Sequence, residues 1–473
     1  MQPSSPSARH RSGQRHRVIV VSVLVGALTA LTTLVFFYAV EYASHVFQHV
    51  LMGISHPVPA GEQLPVVTRS GGEQRHWLIV ILPAVGAALG GLLVHRFYTG
   101  ARGHAIDTTI RAFHRGLGHI PFQQPLVRAC AAVLTIGSGG SAGRIGPNAH
   151  IGAGIGSWLA DRLGLSHKER RTLAMAGCAA GIGTICRAPL GGALTAVEIL
   201  YKDDFDTSSV VPSLVSSLTG YSVLMWFLST PFAGQHGPTI HEFPELSLQM
   251  PWDMVEYLVL TLVCALGANL FIRLFFGLKE QGFDRLRLPF WIRCGIGGLG
   301  VGLLGLFGEQ VLGGGMGYLQ TALDTEVGAM MRHQVLLLGL SFLTFAVLKM
   351  IATGLTIGSG GSGGVFGPAL VVGGLFGAGV GCLFHALVPA VHPPPLAGFV
   401  VVGMAAFFAG VANAPVGAVI LVSEFTGSYT LMAPVLLASI INYLLLRHRT
   451  LYEHQAGYRH ESRRGPAGLR DEG

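Results

Sequence analysis

The sequence predicts an all-α polytopic membrane protein, built from a repeated half whose membrane helices are broken. Three observations predict it: long stretches without charge, residue patterns written twice at near-constant offset, and glycine-rich blocks in apolar surroundings. Of 473 residues, 50% are hydrophobic and 12% charged, and 67 are glycine. Soluble proteins carry about 25% charged residues. Val18–Val40 has no Asp, Glu, Lys or Arg over 23 residues, and Met350–Ser423 has none over 74, although His385 and His392 fall within it. One bilayer crossing takes roughly 20 apolar residues, so the second stretch holds several crossings or broken helices.

The first apolar run is too long for a signal-peptide core and lacks a small-residue cleavage site. It reads as the first membrane helix. Arg9, Arg11, Arg15 and Arg17 precede it, and Arg447, Arg449, Arg459, Arg463 and Arg464 follow the last apolar run. An excess of Lys and Arg marks the cytoplasmic side, so both termini are expected there, in a cell (inner) membrane. The net charge of +7 is concentrated in these tails, which argues against a nucleic-acid partner. Cys130, Cys178, Cys186, Cys264, Cys294 and Cys382 lack metal-ligand spacing and read as small buried hydrophobes. Neither a metal nor a cofactor is expected, and no nucleophile elbow, HExxH pattern or nucleotide loop points to an enzyme.

Residues 1–17 and 454–473 read as polar tails, with one membrane domain over 18–453. Apolar segments begin near Val18, Trp77, Pro121, Arg171, Val210, Val255, Trp291, Val335, Gly363, Leu396 and Leu431. Two polar interruptions are long, His56–Gln74 and His236–Asp253, and the latter joins two halves at about 75–235 and 254–446. The halves repeat. Gly137 matches Gly358 and Pro147 matches Pro368 at an offset of 221; Ala188-Pro189 matches Ala414-Pro415 and Glu198 matches Glu424 at 226. Duplicated halves with interrupted helices are how midplane substrate sites are built in membrane proteins.

The two blocks read GSGGSAGRIGP (Gly137–Pro147) and GSGGSGGVFGP (Gly358–Pro368). In hydrocarbon, non-helical backbone is tolerated only where protein buries it or it lines an aqueous route. Each proline suits the first turn of a new helix, where its missing N–H has no intrahelical partner. The expected object is a helix that breaks, loops and restarts with free N–H groups pointing into the protein. Those groups and the positive end of the helix dipole make an anion site without a full charge. Close helix packing by small residues explains isolated glycines, but less well a Gly/Ser loop ending in Gly-Pro twice.

These residues resemble the CLC family of chloride channels and proton-coupled chloride transporters. Gly143-Arg144-Ile145-Gly146-Pro147 is similar to the family's GREGP signature, and Gly364-Val365-Phe366-Gly367-Pro368 to its GxFxP signature. Ala188-Pro189-Leu190-Gly191-Gly192-Ala193 through Glu198 and Ser423-Glu424-Phe425-Thr426-Gly427 match two further family segments, and the likeness spans about residues 75–453. The resemblance implies a CLC-type inverted internal repeat, a homodimer with one anion path per subunit, and chloride as the transported ligand. The C-terminal segment is too short for the CBS modules of many eukaryotic members. The Phe366 N–H, helped by Val365, is implied at a central anion, and Ile145 with Gly146 at an outer one. Tyr452 falls where a family tyrosine donates its hydroxyl to the central ion, with Tyr443 as rival and an interfacial belt residue as the plainer reading.

Three departures matter. The glutamate of GREGP, which gates the path and carries protons in the family, is Ile145 here. The exchangers' inner proton glutamate is Ile199; the preceding Glu198 has its counterpart in Glu424, which favours a shared structural role, though intramembrane acids are functional by default. The family's inner GSGIP becomes Gly103-His104-Ala105-Ile106-Asp107. His104 is open to three readings: anion donor, satisfied polar residue, or titratable gate near pKa ~6.5. Asp107 fits an N-cap with its carboxylate turned from the path. Lys349 either raises anion concentration in an inner vestibule or snorkels to the interface.

Dipoles that replace part of an anion's hydration shell allow release as well as entry, whereas exchange requires a protonatable group alternating with chloride. With both usual glutamates hydrophobic, the expected activity is passive, uncoupled chloride conduction. A proton-coupled antiporter with relocated proton groups, a channel or transporter for another small anion, and a non-conducting scaffold or sensor are the alternatives.

Overall fold

The computed structural model describes residues 6–57, 74–98, 104–229, 253–328, 330–388 and 393–458. Gly103, most of the two long polar interruptions and the C-terminal residues from 459 lie outside the described residues.

Sixteen α-helices are described: α1 (Pro6–Ser44), α2 (His76–Phe97), α3 (Ala105–Arg115), α4 (Gln123–Gly137), α5 (Ile145–Arg162), α6 (His167–Cys186), α7 (Pro189–Glu198) and α8 (Val210–Leu228), then α9 (Asp253–Phe276), α10 (Phe290–Gly305), α11 (Met316–Leu323), α12 (Arg332–Gly358), α13 (Phe366–Leu387), α14 (Leu396–Ala412), α15 (Pro415–Thr426) and α16 (Met432–Leu446). Helix α1 reaches back into the segment that composition assigns to a polar tail. Its far end widens into a π-helical stretch, His45–Leu51. Among the described residues, six helical segments are long and apolar enough to span a bilayer, and the rest of the transmembrane bulk comes from shorter helices. This is a multi-pass membrane protein.

The helices fall into two sets of eight with matching contacts. In the first set α1 packs on α4, α5, α6 and α8; in the second, α9 packs on α12, α13, α14 and α16. Helix α1 thus takes the place among its neighbours that α9 takes among its own. Backbone angles repeat as well. Arg187 (φ 54°) and Asn413 (φ 52°) are both left-handed, each one residue before an Ala-Pro that starts a helix. Gly139 (φ 103°) and Gly360 (φ 105°) turn the chain at the same place in each block.

Close helix crossings hold the core. Helices α5 and α6 cross at Gly152 and Gly177, where a Cβ on either would run into the other's carbonyl oxygen. Helices α13 and α14 cross in the same way at Gly373 and Gly403, positions offset from the first pair by the same 221 and 226 residues. Every residue of α14 is buried, as is nearly all of α13, which is the state of a helix that is apolar all round. Five cysteines are buried as expected; Cys130 is exposed, because it lies on an outward face of α4.

Candidate functional site

The two glycine-rich blocks meet. The Gly143 N–H donates to the Gly364 carbonyl at 2.8 Å, and the Gly364 N–H donates back to the Gly143 carbonyl at 2.9 Å. The bridge is antiparallel, so α5 and α13 restart from one point. Side chains are excluded there: a Cβ on Gly143 would stand 2.8 Å from the Pro368 Cδ, and one on Gly364 would stand 3.0 Å from the Gly146 Cα. The loops are pinned to α12, with the Ser141 N–H donating to Thr356 Oγ1 at 3.0 Å and Ser141 Oγ 3.1 Å from Thr353 Oγ1.

Neither restart is capped by a side chain; the N-cap residues are Arg144 and Val365. The first N–H groups of a helix have no intrahelical acceptor, and Pro147 and Pro368 supply none. The donors at the two starts are therefore those of Ile145 and Gly146 on α5, and Phe366 and Gly367 on α13. Phe366 is fully buried, its ring centroid 4.2 Å from that of Phe408, and Val365 is buried beside it.

Ile145 is buried and lines a cavity of about 190 Å³ together with Arg144, Glu41, Cys186, Met316 and Phe425. Arg144 pairs with Glu41 at 2.9 Å and lies over the Phe37 ring at 4.8 Å. His45, His49 and His56 line the same cavity. The His45 and His49 rings stack at 5.2 Å, since a π-helical stretch brings positions four apart nearly in line. Composition gave no warning of these histidines; their spacing with Glu41 (41, 45, 49) beyond the apolar run was the available signal.

Tyr452 does not line the Ile145 cavity; it lies in a short segment packed against the start of α3. It is 2% exposed, and no described residue hydrogen-bonds its hydroxyl. The rival Tyr443 donates its hydroxyl to Asp203 at 2.9 Å, so that phenol is already engaged. His104 N-caps α3 by position, without a capping side-chain bond. Its Nε2 meets the Leu451 carbonyl at 3.1 Å, its ring lies 5.3 Å from that of Tyr452, and its Nδ1 is buried without a partner among the described residues. Asp107 is not the N-cap. It lies three residues into α3, and its carboxylate accepts the His454 N–H at 2.9 Å and faces His454 Nδ1 at 2.6 Å. His454 and Gln455, in the stretch read from sequence as tail, thus pack against the helices. Gln455 donates to the Tyr201 and Ala412 carbonyls, both at 3.1 Å.

The remaining positions are more distant from the restarts. Ile199 is fully buried at the end of α7. Glu198 accepts the Val416 and Gly417 N–H groups at 3.2 and 2.6 Å. Lys349 is 1% exposed, so it does not snorkel to an interface. Its ammonium donates to the carbonyls of Val311, Leu312 and Gly313 at 2.9, 3.3 and 2.7 Å. A loop that turns three carbonyls inward needs a donor, and Lys349 supplies it, stiffening a wall of the Ile145 cavity. Among the described residues no group of three or more His, Cys, Asp or Glu side chains is placed to hold a metal.

A doubled set of membrane helices with two broken starts at its centre defines a protein of the channel and transporter class rather than an enzyme. The chain belongs to the voltage gated chloride channel family, whose profile matches residues 86–447. It is 30% identical over 372 residues to a putative chloride channel protein, ClcB-like, of Ralstonia nicotianae, covering 78% of this chain and 82% of that one. It is also 30% identical over 410 residues to the H(+)/Cl(-) exchange transporter ClcA of Salmonella paratyphi A, covering 83% and 82%. The fold matches a slow cyanobacterial Cl-/H+ antiporter with a TM-score of 0.73 at 23% identity, over 91% of this chain and 94% of that one. It matches a CLC-type fluoride/proton antiporter equally well, with a TM-score of 0.73 at 20% identity, over 94% and 98%.

Proposed function

We propose that this protein is a passive, uncoupled chloride channel of the cell (inner) membrane, working as a homodimer with both termini in the cytoplasm. The observation that carries the reading is Ile145: a buried aliphatic side chain at the start of α5, lining the cavity next to free backbone donors. Isoleucine neither ionises nor imitates an anion, so it cannot alternate with chloride. Ile199 takes away the second group that exchange would use. The Phe366 and Val365 backbone and the Tyr452 hydroxyl bind the central anion; Ile145 and Gly146 offer the outer N–H groups. Dipoles of this kind hold a partly dehydrated anion without trapping it.

Replacing Ile145 with Glu tests this. In liposomes the variant conducts less chloride at neutral pH, and flux returns as the carboxylate protonates in acid. Equal flux at every pH would mean that residue 145 does not face the path.

A second reading, a proton-coupled antiporter, is favoured by one observation: the buried His104 ring lies beside Tyr452 with Nδ1 unpartnered among the described residues. Chloride-driven uphill proton movement in the same liposomes, abolished by a protonophore, would select it. Because one structural relative is a fluoride/proton antiporter, the anion itself needs ion-substitution reversal potentials; absence of any anion flux would leave a scaffold or sensor.

A further inference from the structure

A second cleft, apart from the Ile145 cavity, lies between the C-terminal part of α9 and the end of α16. The C-terminal third of α9 supplies Asn269 and Arg273; Leu445 and Leu446 close α16, and His448 and Arg449 follow it. The cleft measures about 430 Å³, far above the roughly 30 Å³ share of one water. Its walls divide by chemistry. Leu445 is 57% exposed beside the equally exposed Leu444, while Arg273, in the last turn of α9, and His448 and Arg449, just past α16, are exposed.

The charge there is uncompensated. Among the described residues neither Arg273 nor Arg449 has a carboxylate within ion-pair distance. Arg449 is oriented by the Asn269 side-chain oxygen, which accepts from one of its Nη groups. His448 Nε2 accepts from the Arg447 Nε at 3.3 Å, and the guanidiniums of Arg273 and Arg449 are the charges the cleft presents. Two planar forks over an apolar wall at a membrane boundary match a phosphodiester with an acyl chain beneath it. Guanidinium suits phosphate through paired N–H donors, and basic pockets between helix ends take anionic head groups.

We propose that the α9–α16 cleft binds the phosphodiester head group of an anionic phospholipid from the adjoining leaflet, with Arg273 and Arg449 on the phosphate and Leu445 against the acyl chain. Free phosphate shares the recognising chemistry but has no use for the apolar wall, so the lipid is the occupant.

The experiment is native mass spectrometry of the full chain released from phosphatidylcholine discs doped with phosphatidylglycerol. Each arginine near a membrane surface is worth about 1 kcal/mol toward anionic lipid, so Arg273→Gln/Arg449→Gln weakens retention about thirty-fold. Arg332→Gln, at the start of α12, leaves it unchanged. Equal retention in the double variant and the wild type overturns the proposal. So does displacement of the lipid by millimolar inorganic phosphate, which would assign the cleft to the free ion. Should the double variant fail to fold, salt titration of the wild type decides: retained phosphatidylglycerol must be shed as ionic strength rises, and salt-insensitive retention also overturns it.

Discussion

Glu198 and Glu424 each cap the helix that the other ends. The Glu198 carboxylate accepts the N–H groups of Val416 and Gly417 at the start of α15. The Glu424 carboxylate, from α15, accepts those of Leu190 and Gly191 at the start of α7, at 3.2 and 2.7 Å. Helices α7 and α15 therefore cross as a reciprocal pair, each with a proline in its first turn and a carboxylate from its partner on the orphan donors. A carboxylate is well placed there by the positive end of the helix dipole.

This exchange predicts equal costs. Glu198→Ala and Glu424→Ala each remove the acceptor of two helix-start N–H groups, one of them on a buried glycine (Gly417 or Gly191), at about 1–3 kcal/mol. Melting temperatures from size-exclusion thermostability should fall by similar amounts in the two variants, and the Gln variants should fall less. A change in proton flux specific to Glu198→Gln would instead mark Glu198 as a proton carrier.

The Gly143–Gly364 contact predicts intolerance to a single methyl group. Gly143→Ala or Gly364→Ala forces the two restarts apart, and overpacking of this kind costs about 1–3 kcal/mol. Chloride flux in liposomes should be lost or much reduced in both. Gly277→Ala, where a Cβ meets nothing within 4 Å, should leave flux intact.

The Asp107–His454 pair predicts an effect at a distance. The segment holding Tyr452 is tied to α3 through this pair, and Lys279 pairs with Glu453 beside it. Asp107→Asn should weaken anion binding measured by calorimetry, by loosening the segment. Tyr452→Phe should weaken it about ten-fold, the worth of one hydroxyl donor to a charged partner. Tyr443→Phe should not change it. Unaltered binding in Tyr452→Phe would remove that hydroxyl from the path.

His56 sets a limit on acid sensitivity. Burial, and then the charge of Lys349, lower its pKa from 6.5 to about 4, and its Nδ1 lies 2.9 Å from the Tyr318 hydroxyl. A depressed folded value means that its contribution to stability is whole above pH ~6.5 and is lost as pH falls toward ~4. His56→Gln should therefore lose less melting temperature than the wild type over that interval. It should leave the flux–pH profile unchanged between about pH 7 and 5, where the imidazole stays neutral.

How much of this was legible follows from which signals are local. Ten of the eleven apolar segment starts fall within four residues of a helix start, and Val18 falls twelve residues inside α1, because hydrophobic runs in a bilayer need no partner to be recognised while a polar extension of the helix does not show in composition. Helices α3 and α11 escaped: α3 carries Asp107, Thr108, Thr109 and Arg111 among its residues, and it is buried by others rather than by lipid. The glycine blocks and the Ala-Pro starts were readable, since their repeat is written in residue types. The pairing of Glu198 with Glu424 showed only as a matched offset. Lys349 and Asp107 were misread because their partners, three carbonyls and His454, lie at least 36 and 347 positions away, and no pattern in one sequence reports such distances.

The bridge between Gly143 and Gly364 makes the midpoint of the molecule a rivet. Both hydrogen bonds and the close Gly143–Gly367 and Gly146–Gly364 backbone contacts must part together before the halves could tilt against each other there, and each bond alone contributes about 1 kcal/mol. The two halves are therefore held as one body at this point. Spin labels placed either side of the rivet should report one unchanging separation with and without chloride.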